Sequence, residues 1–280
     1  MINIQQQQQR CVVTLHTRSI NPLSALWQDA LQQLLEQLEQ LAASAQTGAV
    51  VQINFEGSPP DYQLEQVAAL GRAQASACMQ RLASYQQLLR RLERLSIPVL
   101  AILQGQVLGH AWGLALACHR RYALGAGQFG LPQATLGLMP CGGALVRFGR
   151  LLGLQTALPL LLDGAALDNA SALQLGLLHG AAADAPALSA LLAAAANSAM
   201  PPQQPWDSTR PALPGGALDS AANRAFLQLA PARLRTRHAQ DVPAEQAILC
   251  ALAEGLLVDF DTAVLIESRY FCQIAIAFQG

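Results

Sequence analysis

The stretch that decides the fold is "PVLAILQGQVLGHAWGLALACHRRYAL", residues Pro98 to Leu124. It opens on "PVLAILQG" over 98–105, an apolar run of the length expected for a buried strand. A glycine turn follows, and 109–118 reads as a helix. The continuation "RRYALGAGQFGLP" over 120–132 reads as a second strand and a loop. Strand, helix and strand in such short order are the repeating unit of an α/β fold.

The same alternation extends outward. Toward the N-terminus, "CVVTLH" (11–16) and "AVVQINF" (49–55) read as strands. Residues 23–45 and 64–95 carry leucine at helical spacing, the second with an Arg-rich face ending in "LLRRLERL". The glutamines at 5–9 read as a frayed terminus. Toward the C-terminus, helices are predicted over 142–152, 154–162, 170–176 and 186–198. "MPPQQPWDSTRPALPGG" (200–216) is rich in Pro, Gly and polar residues and reads as a linker. Helices follow over 218–230 and 243–278, the second with Pro243 near its first turn. The expected organisation is a core over 1–200, a linker over 201–217 and a helical region over 218–280.

Composition narrows the chemistry. The chain has 280 residues, 52% hydrophobic and 12% charged, enough apolar material for a sizeable core. Its net charge is −1, so no global field recruits nucleic acid or an anionic membrane. All 17 basic residues are arginine, which excludes Schiff-base lysine chemistry and leaves arginine or backbone N–H groups to hold any phosphate. The six cysteines form no CxxC pair, so reduced thiols, no metal site and a cytoplasmic location are expected. The start "MINIQQQQQR" has no apolar signal core, and the Ala/Leu run at 181–200 is broken by Asp184 and Pro186, so no membrane span is expected.

The pieces "PVLAILQGQVLGHAWGLALACHRRYAL", "QFGLPQATLGLMPCGG", "RLLGLQTALPLLLDG" and "ALQLGLLHG" resemble the crotonase superfamily, the enoyl-CoA hydratases and isomerases. "QPWDSTRPALPGG" and "PAEQAILCALAEGLLVDFDTAVLIESRYF" look like the tail of the hydratase domain in multifunctional fatty-acid-oxidation alpha subunits. The resemblance spans roughly residue 49 to the C-terminus. It implies a ββα spiral core with a C-terminal helical trimerisation region. It also implies an acyl-CoA thioester as ligand, no further cofactor, and a homotrimer or larger homo-oligomer. No GxGxxG follows a strand, so the dehydrogenase half of those larger proteins is expected to be absent.

In the family, two backbone N–H groups polarise the thioester carbonyl and two glutamates hold and move the protons of a water. The resemblance places the first glutamate at Gly113, in "GHAWG", and the second at Gln133, in "GLPQ" where the family has "GLPE". Neither residue is a base at neutral pH. Losing one acid/base group costs about 10² to 10⁴ in rate. The early oxyanion loop here is "FEGSPPD". If Asp61 matches the family's aspartate, Pro60 takes the donor position and has no N–H; a shift of one residue would restore a donor. The second oxyanion position falls on His110, which keeps its backbone N–H.

Each remaining candidate has two readings. His110 could substitute as an acid/base or simply fill space. Cys141, before a predicted helix, could be a nucleophile or a small buried residue. Asp61 could be catalytic or cap a turn. Trp112 joins Asp61 and Cys141 as an expected pocket-lining residue. The arginines of "LLRRLERL" could hold coenzyme A phosphates, form a solvated face or touch a neighbouring subunit; "HRR" at 119–121 reads as structural. Two functions stay open. One is a hydratase/isomerase-like protein with weak or lost hydration. The other is a non-catalytic acyl-CoA binder or assembly partner, a pseudoenzyme working beside a catalytic paralogue.

Overall fold

The computed structural model describes residues 2–7, 10–44, 48–57, 62, 64–196, 203–237 and 242–278. The strands are β1 (Ile2–Gln7), β2 (Arg10–His16), β3 (Val50–Glu56), β4 (Val99–Leu108), β5 (Arg120–Gly130) and β6 (Gly180–Ala182). The helices are α1 (Ala25–Ser44), α2 (Leu64–Ala68), α3 (Ala75–Glu93), α4 (His110–Ala117), α5 (Ala144–Leu152) and α6 (Leu154–Asp163). They continue with α7 (Asn169–Gln174), α8 (Ala185–Ala196), α9 (Ala221–Arg237), α10 (Pro243–Gly255) and α11 (Phe260–Ala277). The chain forms two compact units, each assembled from three separate segments. One holds 1–60, 87–130 and 166–204; the other holds 61–86, 131–165 and 205–280.

The first unit contains the whole sheet, in the order β1-β2-β3-β4-β5-β6. Only β1 and β2 run antiparallel; every later neighbour is parallel. The right neighbours follow from burial. β2 and β3 bury alternate residues (Cys11, Val13, Leu15; Val51, Ile53, Phe55), so each has one covered face. Val99 to Leu103 are all buried, as a strand covered on both faces must be. α1 buries Trp27, Leu31, Leu34, Leu35 and Leu38 at helical spacing. Leu100, Ile102, Tyr122, Ala182, Leu188 and Leu192 make a second apolar cluster across β4, β5, β6 and α8. In the other unit, Val146, Trp206, Phe260, Ala263 and Val264 pack together, with the Trp206 and Phe260 rings stacked 4.8 Å apart.

Several sequence expectations change here. Gln5 to Gln7 are not frayed: they pair with Val12, Cys11 and Arg10, because an antiparallel ladder needs only main-chain groups. The predicted helix 64–95 is two, broken where Gly71 takes an extended conformation and donates its N–H to the Gln74 side chain at 3.0 Å. The predicted helix 243–278 is also two. Asp259 leaves the helical conformation and its side chain accepts from Thr262 N–H, starting α11 afresh. β5 runs the full length of "RRYALGAGQFG", taking in the expected loop, and β6 is a strand that the pattern did not announce.

Candidate active-site region

In the first unit, β4 delivers the chain to α4 through Gly109. Its φ of 60° and ψ of −124° suit glycine, and its N–H donates to Gly130 O at 2.9 Å. This ties the start of α4 to the end of β5. α4 is buried from Ala111 to Ala117 and has no acidic side chain in its first turn and no side-chain bond from its cap residue. The N–H groups of a first turn have no partners within the helix, so that end is suited to an oxyanion. Gly113 is buried in this turn and its own N–H donates back to Gly109 O at 3.0 Å. Trp112 is fully buried. Its indole stacks on Phe129 with centroids 5.3 Å apart, and its Nε1 has no hydrogen-bond partner among the described residues. His110 is only partly buried, at the start of the helix. Pro60 and Asp61 lie outside the described residues. The approach to them is tightly held: a Cβ on Gly57 would meet Gln104 O at 2.0 Å, so β3 must leave the sheet through a glycine.

The "HRR" stretch is structural. His119 Nδ1 accepts from Val99 N–H at 2.9 Å while Nε2 faces Glu93 O at 3.0 Å, which makes Nε2 the protonated nitrogen. Arg121 is buried and donates to the carbonyls of Leu177, Leu116 and Cys118. Of the arginines of "LLRRLERL", Arg94 is exposed, Arg91 is half-buried and Arg90 is buried. Arg91 makes a two-pronged bond to Glu39, both at 2.8 Å, and buried Arg90 pairs with buried Glu93 one turn on. Ion pairing is what lets Arg90 and Glu93 leave water, whereas the Arg91–Glu39 pair stays at the surface.

In the second unit, Gln133 lies in a short 3-10 helix, Pro132–Leu136. Its side chain is 2% exposed, and neither amide atom has a partner among the described residues. Its carbonyl accepts from Leu138 N–H at 3.1 Å. A buried side-chain amide without such partners is costly to keep. The segment then runs through Cys141 to Gly143, whose φ is 77°. A Cβ there would sit 2.1 Å from Arg147 Nη1 and 2.6 Å from Gln86 Oε1. Glycine is required because those two side chains are packed beneath the turn.

The residues that organise this turn were not singled out from the sequence. Glu267, fully buried on α11, accepts from Gly143 N–H at 2.6 Å and Val146 N–H at 3.0 Å. It caps α5 from 121 residues away. Arg147, also fully buried, donates to Gly142 O at 3.2 Å and Gln86 Oε1 at 3.4 Å and lies over the Phe260 ring. Burial pushes the Glu267 carboxyl up to about 7, against the pull of the two N–H donors and Arg147. The only local signal was an acid inside the apolar run "AVLIESRYF". Cys141 is 2% exposed, and burial, with Glu267 and Cys78 nearby, pushes its thiol well above the usual range. It precedes a helix whose positive end is already occupied, so the feature that would activate it is missing.

This largely parallel sheet, feeding a glycine turn and a short buried helix, is the architecture of the crotonase superfamily. The chain belongs to the enoyl-CoA hydratase/isomerase family, whose profile matches residues 5–204. It is similar to the fatty acid oxidation complex subunit alpha of Shewanella loihica, 29% identical over 188 residues, 66% of this chain and 26% of that one. The same subunit from Shewanella sp. strain W3-18-1 is 43% identical over 90 residues, 31% of this chain and 13% of that one. The matches thus span about a quarter or less of these relatives. Among solved structures, an enoyl-CoA hydratase from Thermoplasma volcanium superposes with a TM-score of 0.57 at 18% identity, over 92% of both chains. An enoyl-CoA hydratase/carnithine racemase from Magnetospirillum magneticum gives 0.58 at 24%, over 70% of this chain and 72% of that one. No helix among the described residues is long and apolar enough to cross a membrane.

Proposed function

We propose that this chain binds an acyl-CoA thioester and carries out ordinary hydration weakly or not at all. One observation carries the reading: glycine and glutamine stand at 113 and 133, where the family resemblance places its two glutamates. The first turn of α4, including the N–H of His110, supplies the position for a thioester oxygen. Gln133 offers a donor and an acceptor from a buried amide, which can orient a ligand oxygen but cannot take a proton from water. Binding and polarisation are thereby kept while the proton relay is removed. A non-catalytic partner of an active paralogue is the second reading, since the missing carboxylates favour it equally. Self-assembly suits both: Leu265 on α11 and Leu257 in the turn before it are 53% and 67% exposed.

Calorimetry with crotonyl-CoA and free CoA, alongside a hydration assay on the same sample, tests the proposal. The expected result is binding without turnover at ordinary enzyme rates. Gly113→Glu with Gln133→Glu should then raise hydration by about 10² or more. Normal turnover by the unmodified chain would overturn the loss of chemistry. No binding at millimolar ligand would overturn the acyl-CoA reading and leave the assembly partner.

A further inference from the structure

Three of the six cysteines, Cys78, Cys141 and Cys272, are buried in the second unit, and none belongs to the chemistry proposed above. Cys78 is in the first turn of α3 and Cys272 is on α11. Their sulfurs are 2.8 Å apart, although the residues are 194 positions apart in sequence. A bonded pair sits at about 2.05 Å, so less than about 1 Å of sulfur movement separates the two thiols from a disulfide. Their positions also matter. α3 carries Gln86, which meets Arg147, and α11 carries Glu267, which caps α5. The two helices therefore hold the Gly142–Arg147 turn from two sides, and Cys78 and Cys272 are where they touch through sulfur.

We propose that Cys78 and Cys272 are a redox modification site, closed into a reversible disulfide by exchange with a small-molecule disulfide. Cys78 is the attacking thiol. The hydrogen bond from Cys272 holds it below its usual range against the effect of burial, and Arg81 adds to this. Its thiolate attacks one sulfur of the reagent RSSR, and RS⁻ leaves and takes up the released proton. Cys272 then loses its proton and attacks Cys78 Sγ, expelling the second RS⁻, which is protonated in turn. The balance is two protein thiols and one RSSR giving one protein disulfide and two RSH. Both cysteines are buried, so the exchange waits on local opening of α11. Once made, the bond closes a very long loop, the case in which a cross-link restricts the unfolded chain most.

The test incubates the full chain with glutathione disulfide, with and without mild denaturant. Free thiols are then blocked, peptides are mapped by mass, and Tm is compared with the reduced sample. A Cys78–Cys272 linked peptide is expected, formed faster in mild denaturant, with Tm raised by about 5 °C or more and restored by a dithiol reductant. In Cys78→Ala and Cys272→Ser the linked peptide disappears and Tm no longer responds to glutathione disulfide. The proposal is overturned if both thiols of the unsubstituted chain stay blockable under opening conditions, or if the link joins another pair. It is equally overturned if the Tm response survives in Cys78→Ala. The peptide map of the unsubstituted chain decides the matter even if a variant fails to fold.

Discussion

α4 and α5 begin in nearly the same way and end up with opposite uses. Each follows a glycine of positive φ, Gly109 at 60° and Gly143 at 77°, and neither receives a side-chain bond from that cap. Neither has an acid in its first turn. The difference comes from elsewhere in the chain. α5 receives a remote carboxyl, Glu267, with Arg147 beside it, so its first N–H groups find their acceptor inside the protein. For α4, the function proposed above assigns the same end to a ligand's oxygen. A helix N-terminus is an anion site by default, and what turns it into scaffold is whether the protein supplies the acceptor itself.

The comparison predicts a large effect first. Glu267→Ala strips the α5 cap, leaves two buried N–H groups unpaired and removes the carboxylate beside buried Arg147. It should cost about 3–5 kcal/mol in denaturant unfolding, or prevent folding. A loss below about 1 kcal/mol would break the claim that α5 is capped from within.

The next test uses pH. Burial pushes the Glu267 carboxyl up to about 7 in the folded chain, from an ordinary value of 4.5 that it regains on unfolding. Between these values the folded chain holds a proton that the unfolded chain has lost. Stability therefore falls as pH rises through that window and levels off above it. Glu267→Gln cannot titrate. The stability of the unsubstituted chain minus that of Glu267→Gln should drop by up to about 3 kcal/mol between pH 4.5 and 7. A difference that stays constant or rises would mean that the carboxylate is held charged instead.

Gly143→Ala is third. It forces a positive φ on alanine and drives a Cβ into Arg147 and Gln86, for an expected cost of about 1–3 kcal/mol by thermal or denaturant melting. The smallest effect is that of an ordinary exposed cap. Asp259→Ala loses the bond to Thr262 N–H and should cost about 1 kcal/mol. If Asp259→Ala proved as damaging as Glu267→Ala, burial would not be what makes the remote cap strong.

Much of this was legible beforehand. The continuous apolar run at 98–105 was readable as a covered strand, although β4 runs on to Leu108 and the turn falls at Gly109, which the sequence had placed in the helix. That glycine and glutamine stand at 113 and 133 was visible directly, and their match to the family's glutamates is what the resemblance implies. Helix breaks at Gly71 and Asp259 were missed because leucine periodicity runs straight through both. The Arg-rich end of α3 misled for a related reason. Charge content suggested water, which holds for Arg94, whereas Glu93 is what allows Arg90 to pack inward.

By itself, the sequence determined what depends on neighbours a few positions apart. That covers most of the strands and helices and the residue types that stand at 113 and 133. Only the tertiary structure decided what depends on residues brought from far away. Glu267 closing one helix end, the Gln133 side chain buried without a partner among the described residues, and Cys78 lying against Cys272 are of this kind. The physical reason is that a side chain's periodicity shows which face it occupies. The group opposite it, and with it the charge, satisfaction and reactivity of both, is set by long-range packing.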